Sequence, residues 1–100
     1  MNNKGILVLN YLDKQRKLNY VTYEGDLLVI TSGQSNKVAY MKDHDQVELQ
    51  FGEEIVKAKP HIISNPKEVQ KLFDVMNAED NNHFKAFNDM FVAIKFSLNK

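Results

Sequence analysis

Hydrophobic residues in the first third of the chain are spaced as in β-strands. A short apolar run over residues 5–11 predicts a buried strand, and the polar residues 13–16 predict the turn after it. Apolar and polar residues then alternate over 17–24, and residues 27–31 are again apolar. The turn residues 24–26 separate these two segments, so the pattern predicts three antiparallel strands connected as a meander.

The middle of the chain is predicted to contain a short helix and two more strands. Apolar residues recur at helical spacing over residues 36–43, which predicts the helix. Alternating apolar residues over 47–51 and a longer segment over 55–63 predict the fourth and fifth strands. Pro60 has no N–H to donate to a neighbouring strand, so we expect an edge or a bulge at that point.

The last third of the chain predicts a second helix and a sixth strand. Asn65 is a good N-cap, Pro66 suits the first helical position, and Glu68 stands where a capping box has a carboxylate. A polar loop over residues 78–82 and a strand over 91–98 follow this helix. The helix has one apolar face, made by Val69, Leu72, Phe73 and Met76.

The predicted order of elements is β-β-β-α-β-β-α-β within a single domain, residues 1–100. Short hairpin connections favour antiparallel pairing, and closure of the sheet would leave no exposed edge. We therefore expect a mainly β protein, a six-stranded antiparallel β-barrel with two short helices packed outside. A domain of this size buries only about two-thirds of the surface that its unfolded chain exposes, so dimerisation would enlarge a modest core.

Charge and composition exclude several classes of function for this chain. Lys+Arg and Asp+Glu are both 13, so the formal net charge is +0 and the basic excess typical of nucleic-acid binding is missing. The count of cysteine is 0, which excludes disulfides, thiolate metal sites and cysteine nucleophiles. No apolar run approaches the ~20 residues that span a bilayer. We therefore expect no nucleic-acid or membrane partner and a cytoplasmic location.

The segment that joins the third strand to the first helix, residues 31–37 (TSGQSNK), holds the candidate chemistry. Hydroxyls of Thr31, Ser32 and Ser35 crowd this junction, and Lys37 stands in the first helical turn, where the helix dipole disfavours a cation. A bound phosphate would turn that penalty into an attraction, because a helix start presents free N–H groups. From the residues alone, the alternative stays open that Ser35 is an ordinary N-cap and Lys37 points to water.

A strand that ends in Thr-Ser, followed by Ser-x-Lys at a helix start, resembles the phosphate-binding region of one family. This family is the flavin-binding split barrels of the pyridoxamine-phosphate oxidase-like superfamily. The Asn65-Pro66 helix start and the last strand fall in similar order, so the similarity extends over residues 6–98. The resemblance implies a homodimer with FMN at its interface. It also implies a flavin-dependent oxidoreductase whose small-molecule substrate the sequence does not identify.

The resemblance implies a role for five residues. Thr31 and Ser32 match positions that meet the isoalloxazine ring of FMN in that family. Ser35 and Lys37 match positions that hold the FMN phosphate. Lys17 stands at about the place where the oxidases carry a phosphate-binding arginine. These five residues are the predicted cofactor site, and no catalytic acid or base is evident beside them.

The chain departs from the family pattern at two basic positions. Thr22 and Asn36 stand where the oxidases have basic residues, which lowers the positive charge expected at the phosphate site. The C-terminal substrate-binding segment of the true pyridoxamine-phosphate oxidases has no counterpart in this sequence, so we do not expect that activity. The alternative is a non-catalytic split barrel that has lost flavin binding, or one that binds haem or a deazaflavin.

Other candidate residues favour ordinary structural roles. His44 lies between two aspartates, and neighbours in a loop rarely converge on one ion, so we expect a solvated turn and no metal site. His61 alternates with lysines along the fifth strand, which predicts an exposed or interface position. Phe84, Phe87 and Phe91 are compatible with an aromatic ligand box or with packing, and packing is favoured.

Overall fold

The structure is a computed structural model that describes residues 3–98. Its order of elements is the predicted β-β-β-α-β-β-α-β, and the mainly β fold is confirmed. Across residues 3–98, no helix is both long and apolar enough to cross a bilayer. The strands and helices are β1 (Lys4–Tyr11), β2 (Lys14–Tyr23), β3 (Asp26–Ser32), α1 (Asn36–Lys42), β4 (Val47–Phe51), β5 (Glu54–Ile63), α2 (Pro66–Ala78) and β6 (Phe91–Leu98).

The six strands form a closed antiparallel barrel in the order β1-β2-β3-β6-β5-β4. β1 closes the barrel by pairing with β4 around Leu9↔Leu49. The longest ladder joins β1 to β2, and β6 pairs over six residues with each of its neighbours, β3 and β5. The split barrel that the sequence predicted is therefore the observed architecture, with the last strand, β6, between β3 and β5.

The inside of the barrel is filled by the alternate apolar side chains of all six strands. Leu7, Leu49, Ile94 and Phe96 are among those with no exposed surface. α1 adds its two buried side chains, Val38 and Met41, to this inner cluster. The prediction placed both helices outside the barrel; the buried side chains of α1 instead belong to the inner cluster, because β3 and β4 lie on opposite sides of the closed barrel and α1 lies in the segment that connects them.

α2 packs on the outside of the barrel and forms a second, smaller core. Its predicted apolar face is buried against outward-facing side chains of β2, β3 and β6, among them Val21, Leu28 and Ala93. The helix start is the predicted one, because the side chain of Asn65 accepts hydrogen bonds from the backbone N–H groups of Lys67 and Glu68. The strands under α2 are therefore apolar on both faces.

The first turn lies earlier in the chain than the sequence indicated. β2 begins at Lys14, and Tyr11 pairs directly with Lys14, so Leu12 and Asp13 alone form a two-residue hairpin turn. The prediction of a turn over residues 13–16 is wrong because Leu12 adopts a φ of 54°. Glycine and asparagine are the usual residues for that conformation. The polar residues 14–16 belong to an exposed end of the strand.

Pro60 lies where β5 has only one neighbouring strand. The ladder between β4 and β5 ends at Val47↔Ala58, and β5 then continues beside β6 alone. Pro60 stands opposite Phe96 in that second ladder. The expected edge is therefore confined to this end of β5. The N–H that Pro60 lacks costs no ladder hydrogen bond on the β4 side, because β4 no longer pairs with β5 there.

The turn between β2 and β3 offers a simple test of the hairpin geometry. Glu24 and Gly25 both have positive φ, 52° and 86°, as in a type I′ turn. Glutamate is strained in this region, whereas asparagine tolerates it. We expect Glu24→Asn to raise the free energy of unfolding by about 0.5–1 kcal/mol, measured by urea denaturation. The matched control, Glu24→Gln, removes the same charge but keeps the strain and should bring no such gain.

Candidate functional site

A cavity lies where β2 and β3 separate. These strands pair only from Val21↔Leu28 to Tyr23↔Asp26, while the rest of β2 stays with β1 and the rest of β3 stays with β6. The separation opens a cavity of about 180 Å³ between them, which α1, α2 and the loop after α2 complete. Its lining residues are Lys17, Leu18, Asn19, Ile30, Thr31, Lys37, Met76, His83 and Phe84.

Three of the five predicted cofactor residues line this cavity together. Lys17 comes from β2, Thr31 from β3 and Lys37 from α1, so the fold brings together side chains that are up to 20 positions apart. Ser32 and Ser35 are not among its lining residues. They belong to the turn before α1, where the hydroxyl of Ser35 donates to the carbonyl oxygen of Ser32 at 2.9 Å.

The start of α1 lacks the side-chain hydrogen bond that an ordinary N-cap residue makes to the helix backbone. Ser35 occupies the N-cap position, but its side chain makes no capping hydrogen bond. α1 has 7 residues, so its aligned peptide dipoles are few. Any attraction for an anion in the cavity must therefore come mainly from the charged side chains that line it.

Lys37 is a half-buried cation without a neutralising partner. Burial is the main cause that lowers the pKa of its ammonium group, and the positive charge of Arg16 lowers that pKa further. Among the described lining residues of the cavity none is acidic, and no acidic group is among the causes that shift the pKa of Lys37. Lys17 and Lys37 line the cavity and the charge of Arg16 lies near Lys37, so this space favours an anion.

Arg16 and His83 are residues of this site that the sequence did not single out. Arg16 lies in the polar stretch that was predicted to be a turn, and its place in β2 brings its charge near Lys37. His83 lies in a polar loop with no motif around it, yet it lines the cavity. The only feature of the sequence that could have indicated Arg16 is its place next to Lys17. No feature of the sequence indicated His83.

Four of the side chains that line the cavity are apolar, namely Leu18, Ile30, Met76 and Phe84. The ring of Phe84 packs on Phe91 with ring centres 4.4 Å apart, within the cluster under α2, so the packing role predicted for these phenylalanines is confirmed. A cavity lined by both cationic and apolar side chains suits a ligand that has an anionic group on an apolar body.

Asn81 anchors the loop that carries His83 and Phe84. Its side-chain amide donates to the carbonyl oxygens of Gly5 and Tyr20, at 3.0 and 2.8 Å, which face each other in the ladder between β1 and β2. These bonds join the loop after α2 to the strand that supplies Lys17. The positions of His83 and Lys17 around the cavity therefore depend on Asn81.

The role of Asn81 can be tested by removing its amide. We expect Asn81→Ala to lower the free energy of unfolding by about 1–3 kcal/mol, because two partly buried carbonyl groups lose their donor. Amide hydrogen exchange of the loop between α2 and β6 should become faster in the same variant. Gln70→Ala, an exposed position on α2, is the control and should change neither quantity. Equal stability and exchange in both variants would contradict this role.

The other histidines lie apart from the cavity. His44 stacks on Tyr40 with ring centres 3.8 Å apart, and its Nδ1 is 2.8 Å from the carbonyl oxygen of Tyr40. His61 is exposed on β5, as predicted. Over the described part of the chain, no three His, Cys, Asp or Glu side chains are grouped as they would be to hold a metal ion.

Solved structures share the fold of this chain. One is a protein from Bacteroides thetaiotaomicron provisionally described as a 5-nitroimidazole antibiotic resistance protein; the TM-score is 0.68 at 10% identity, over 98% of this chain and 74% of the other. Another is a NimC/NimA family protein from Clostridium acetobutylicum, with a TM-score of 0.59 at 14% identity, over 95% and 71%. No protein-family model matches the chain, and no curated protein matches it significantly. At these identities the likeness concerns the fold.

Proposed function

We propose that this chain binds FMN in the cavity between β2 and β3, works as a homodimer and acts as a flavin-dependent oxidoreductase. The observation that carries the proposal is the cluster of positive charge around the cavity. Lys37 is half buried there beside Lys17, with Arg16 near, and no acidic side chain among the described lining residues balances them. The phosphate group of FMN would supply the missing negative charge.

The residues present fit the two ends of FMN. Lys17 and Lys37 would hold the phosphate, with Arg16 adding attraction at longer range. Thr31 lines the same cavity and would contact the less polar part of the cofactor. Ser32, at the end of β3, and Ser35, in the turn that follows, would come into contact with a cofactor that extends out of the cavity.

The size of the cavity is the reason to propose a second subunit. About 180 Å³ is less than the ~300–1,000 Å³ of sites that enclose ligands of this size. One chain would therefore enclose the phosphate end, and the ring would lie at the surface. A second copy would cover the ring and exclude water from it.

The reaction class follows from the cofactor, and the protein supplies binding and orientation. When bound, FMN would supply hydride or electron transfer to and from its ring. His83, Asn19 and Phe84 are the side chains in place to orient the cofactor or a substrate beside it. The description of the Bacteroides structure makes 5-nitroimidazoles a reasonable first group of electron acceptors to test.

The experiment is a comparison of FMN with riboflavin, which lacks the phosphate. Purified full-length protein is titrated with each, and flavin fluorescence is followed. We expect saturable binding of both, with FMN tighter by about 10–100-fold, since charge-assisted hydrogen bonds contribute roughly 1.5–3 kcal/mol. Equal affinities would show that the phosphate does not use the lysines, and no binding of FMN would end the proposal. Reduction of bound FMN by NADH or NADPH then tests the oxidoreductase step.

A second candidate is a non-catalytic split barrel that holds only a small anion. The size of the cavity favours it, because about 180 Å³ accommodates a phosphate group without any larger body. In that case, inorganic phosphate should raise the melting temperature as much as FMN does. The absorption spectrum of the purified protein tests the remaining members of this class, since bound haem, deazaflavin and flavin each absorb at different wavelengths.

A further inference from the structure

The amine of Lys37 is set apart from the other lysines by its place in the cavity between β2 and β3. Within residues 3–98, Lys37 and Lys95 are half-buried, and the other lysines are exposed. The ammonium group of Lys95 lies 5.2 Å from the centre of the Tyr23 ring, whose face attracts a cation. Lys37 lines the cavity instead, with the positive charge of Arg16 near it. The surroundings of Lys95 therefore stabilise a charge, whereas those of Lys37 oppose one.

These surroundings increase the fraction of Lys37 that has an unprotonated amine. Burial lowers the pKa of Lys37, and the charge of Arg16 lowers that pKa further. An unprotonated amine has a free lone pair, and this is the form of lysine that adds to a carbonyl carbon. A desolvated site and a neighbouring cation are two means by which proteins activate lysine as a nucleophile. Lys37 has both.

The same cavity fits a small molecule that carries a negative charge. Its volume of about 180 Å³ is several times the ~30 Å³ that one water molecule occupies in the liquid, so a molecule of a few non-hydrogen atoms fits. Lys17 lines the cavity with Lys37, and none of the described lining side chains is acidic. Lys17 is exposed, so water stabilises its ammonium group, which stays available to hold a carboxylate or a phosphate. A short aldehyde or 2-oxo acid with an anionic end therefore matches one charged amine and one reactive amine.

We propose that Lys37 captures small anionic aldehydes and 2-oxo acids as an imine, while Lys17 holds their carboxylate or phosphate group. The lone pair of Nζ of Lys37 forms a bond to the carbonyl carbon, which gives a carbinolamine. The carbon–oxygen bond then breaks, and the oxygen leaves as water with the two protons of the amine. No oxidant or reductant takes part in this step. The inference goes beyond the proposed function, because it concerns the chain without FMN.

The experiment is reductive labelling of the full chain with glyoxylate and sodium cyanoborohydride. The hydride reagent reduces each imine to a stable secondary amine, so a lysine that forms an imine keeps a carboxymethyl group that peptide mass spectrometry locates. We expect the initial rate at Lys37 to exceed the rate at exposed Lys59 by about 30-fold or more, since a cationic cleft concentrates anions and the amine is activated. Glycolaldehyde, a neutral aldehyde with the same number of carbons, should show a preference of only about threefold, because Lys17 does not attract it.

The role of Lys17 is tested against a matched lysine on the same strand. Lys17→Met should lower the rate of glyoxylate labelling at Lys37 about tenfold and leave glycolaldehyde labelling unchanged. Lys14→Met removes an equal charge from β2 at an exposed position outside the lining of the cavity, so both rates should stay the same. Lys95 is the internal control for burial and should react no faster than Lys59. Circular dichroism checks that both variants are folded.

Equal rates of glyoxylate labelling at Lys37 and Lys59 overturn the inference. An equal loss of labelling in Lys17→Met and Lys14→Met also overturns it, since only the overall charge would then matter. Labelling in the presence of FMN separates the two proposals, because a phosphate on Lys37 would block its amine. Selective labelling that FMN slows supports both proposals, and selective labelling of a chain that does not bind FMN supports the imine alone. FMN binding by a chain that is not labelled selectively supports the cofactor alone and overturns the imine.

Discussion

Lys37→Met is expected to weaken FMN binding by about 10–100-fold, since it removes a charge-assisted contact of roughly 1.5–3 kcal/mol. Affinity for riboflavin should change little, because riboflavin has no phosphate to meet the lysine. The preference for FMN over riboflavin should therefore fall in the variant, and Lys17 would account for what remains of it. Methionine keeps most of the length and apolar stem of lysine, so the change tests the charge and not the packing.

The same substitution should leave the ligand-free protein equally or more stable. The pKa of Lys37 is lowered by burial and by Arg16, so its charged form is disfavoured in the fold. Between that lowered pKa and the ordinary value of 10.5, the unfolded chain binds more protons, and stability rises with pH. Below this pH window Lys37 is charged in both the folded and the unfolded chain, so the full destabilisation that comes from burying its charge is present. Lys37→Met removes this destabilisation. A bound phosphate reverses the sign of this effect on stability, because it favours the charged form of Lys37.

The control for Lys37 is a lysine of equal charge elsewhere on the barrel. Lys59 is exposed on β5 and is absent from the cavity lining, so Lys59→Met changes the net charge equally but should leave both flavin affinities unchanged. Lys17→Met should reduce FMN affinity like Lys37→Met. If Lys59→Met weakened FMN binding as much as Lys37→Met does, only the overall charge of the protein would matter, and the cavity would not be the phosphate site.

Phe96→Ala is expected to have the largest effect on stability. Phe96 has no exposed surface, lies inside the barrel and pairs with both Leu27 and Pro60 across its two ladders. Loss of a buried phenylalanine costs about 3–5 kcal/mol, because the barrel cannot close around the space left behind. This is a large part of the ~5–15 kcal/mol that stabilises a domain. The melting temperature should fall by about 4–8 °C for each kcal/mol.

Met90→Ala is the comparison for Phe96→Ala. Met90 is exposed in the loop before β6, so its truncation should alter the free energy of unfolding by no more than about 0.5 kcal/mol. Both variants are measured by thermal and urea denaturation under the same conditions. A Phe96→Ala variant as stable as Met90→Ala would mean that the interior relaxes into the space, and the inner cluster would not be the main source of stability.

Local signals in the sequence predicted most of the elements. The bounds of β6 and the start of α2 agree with the prediction, because strict alternation and an Asn-Pro start are properties of a few adjacent residues. The first turn was missed because Leu12 adopts a conformation that its residue type does not indicate. The place of α1 was missed for a different reason, since which side of a barrel a short helix covers depends on strand order.

The candidate site could be predicted only in part. Lys17, Thr31 and Lys37 were named from a resemblance along the chain, and the fold places them around one cavity. Arg16 and His83 were not found, because only the folded chain brings the charge of Arg16 near Lys37 and places His83 at the cavity, on the loop that Asn81 anchors. Whether these residues bind FMN stays a prediction for the titrations above.

The sequence by itself determined the order of the elements, the balance of charge and the absence of cysteine chemistry, since these depend on composition and on neighbours along the chain. Only the tertiary structure decided where the strands separate and which cations meet. The physical reason is that β-ladders join residues far apart in sequence. A ladder that stops after three pairs, as between β2 and β3, leaves no local mark in the pattern of apolar residues.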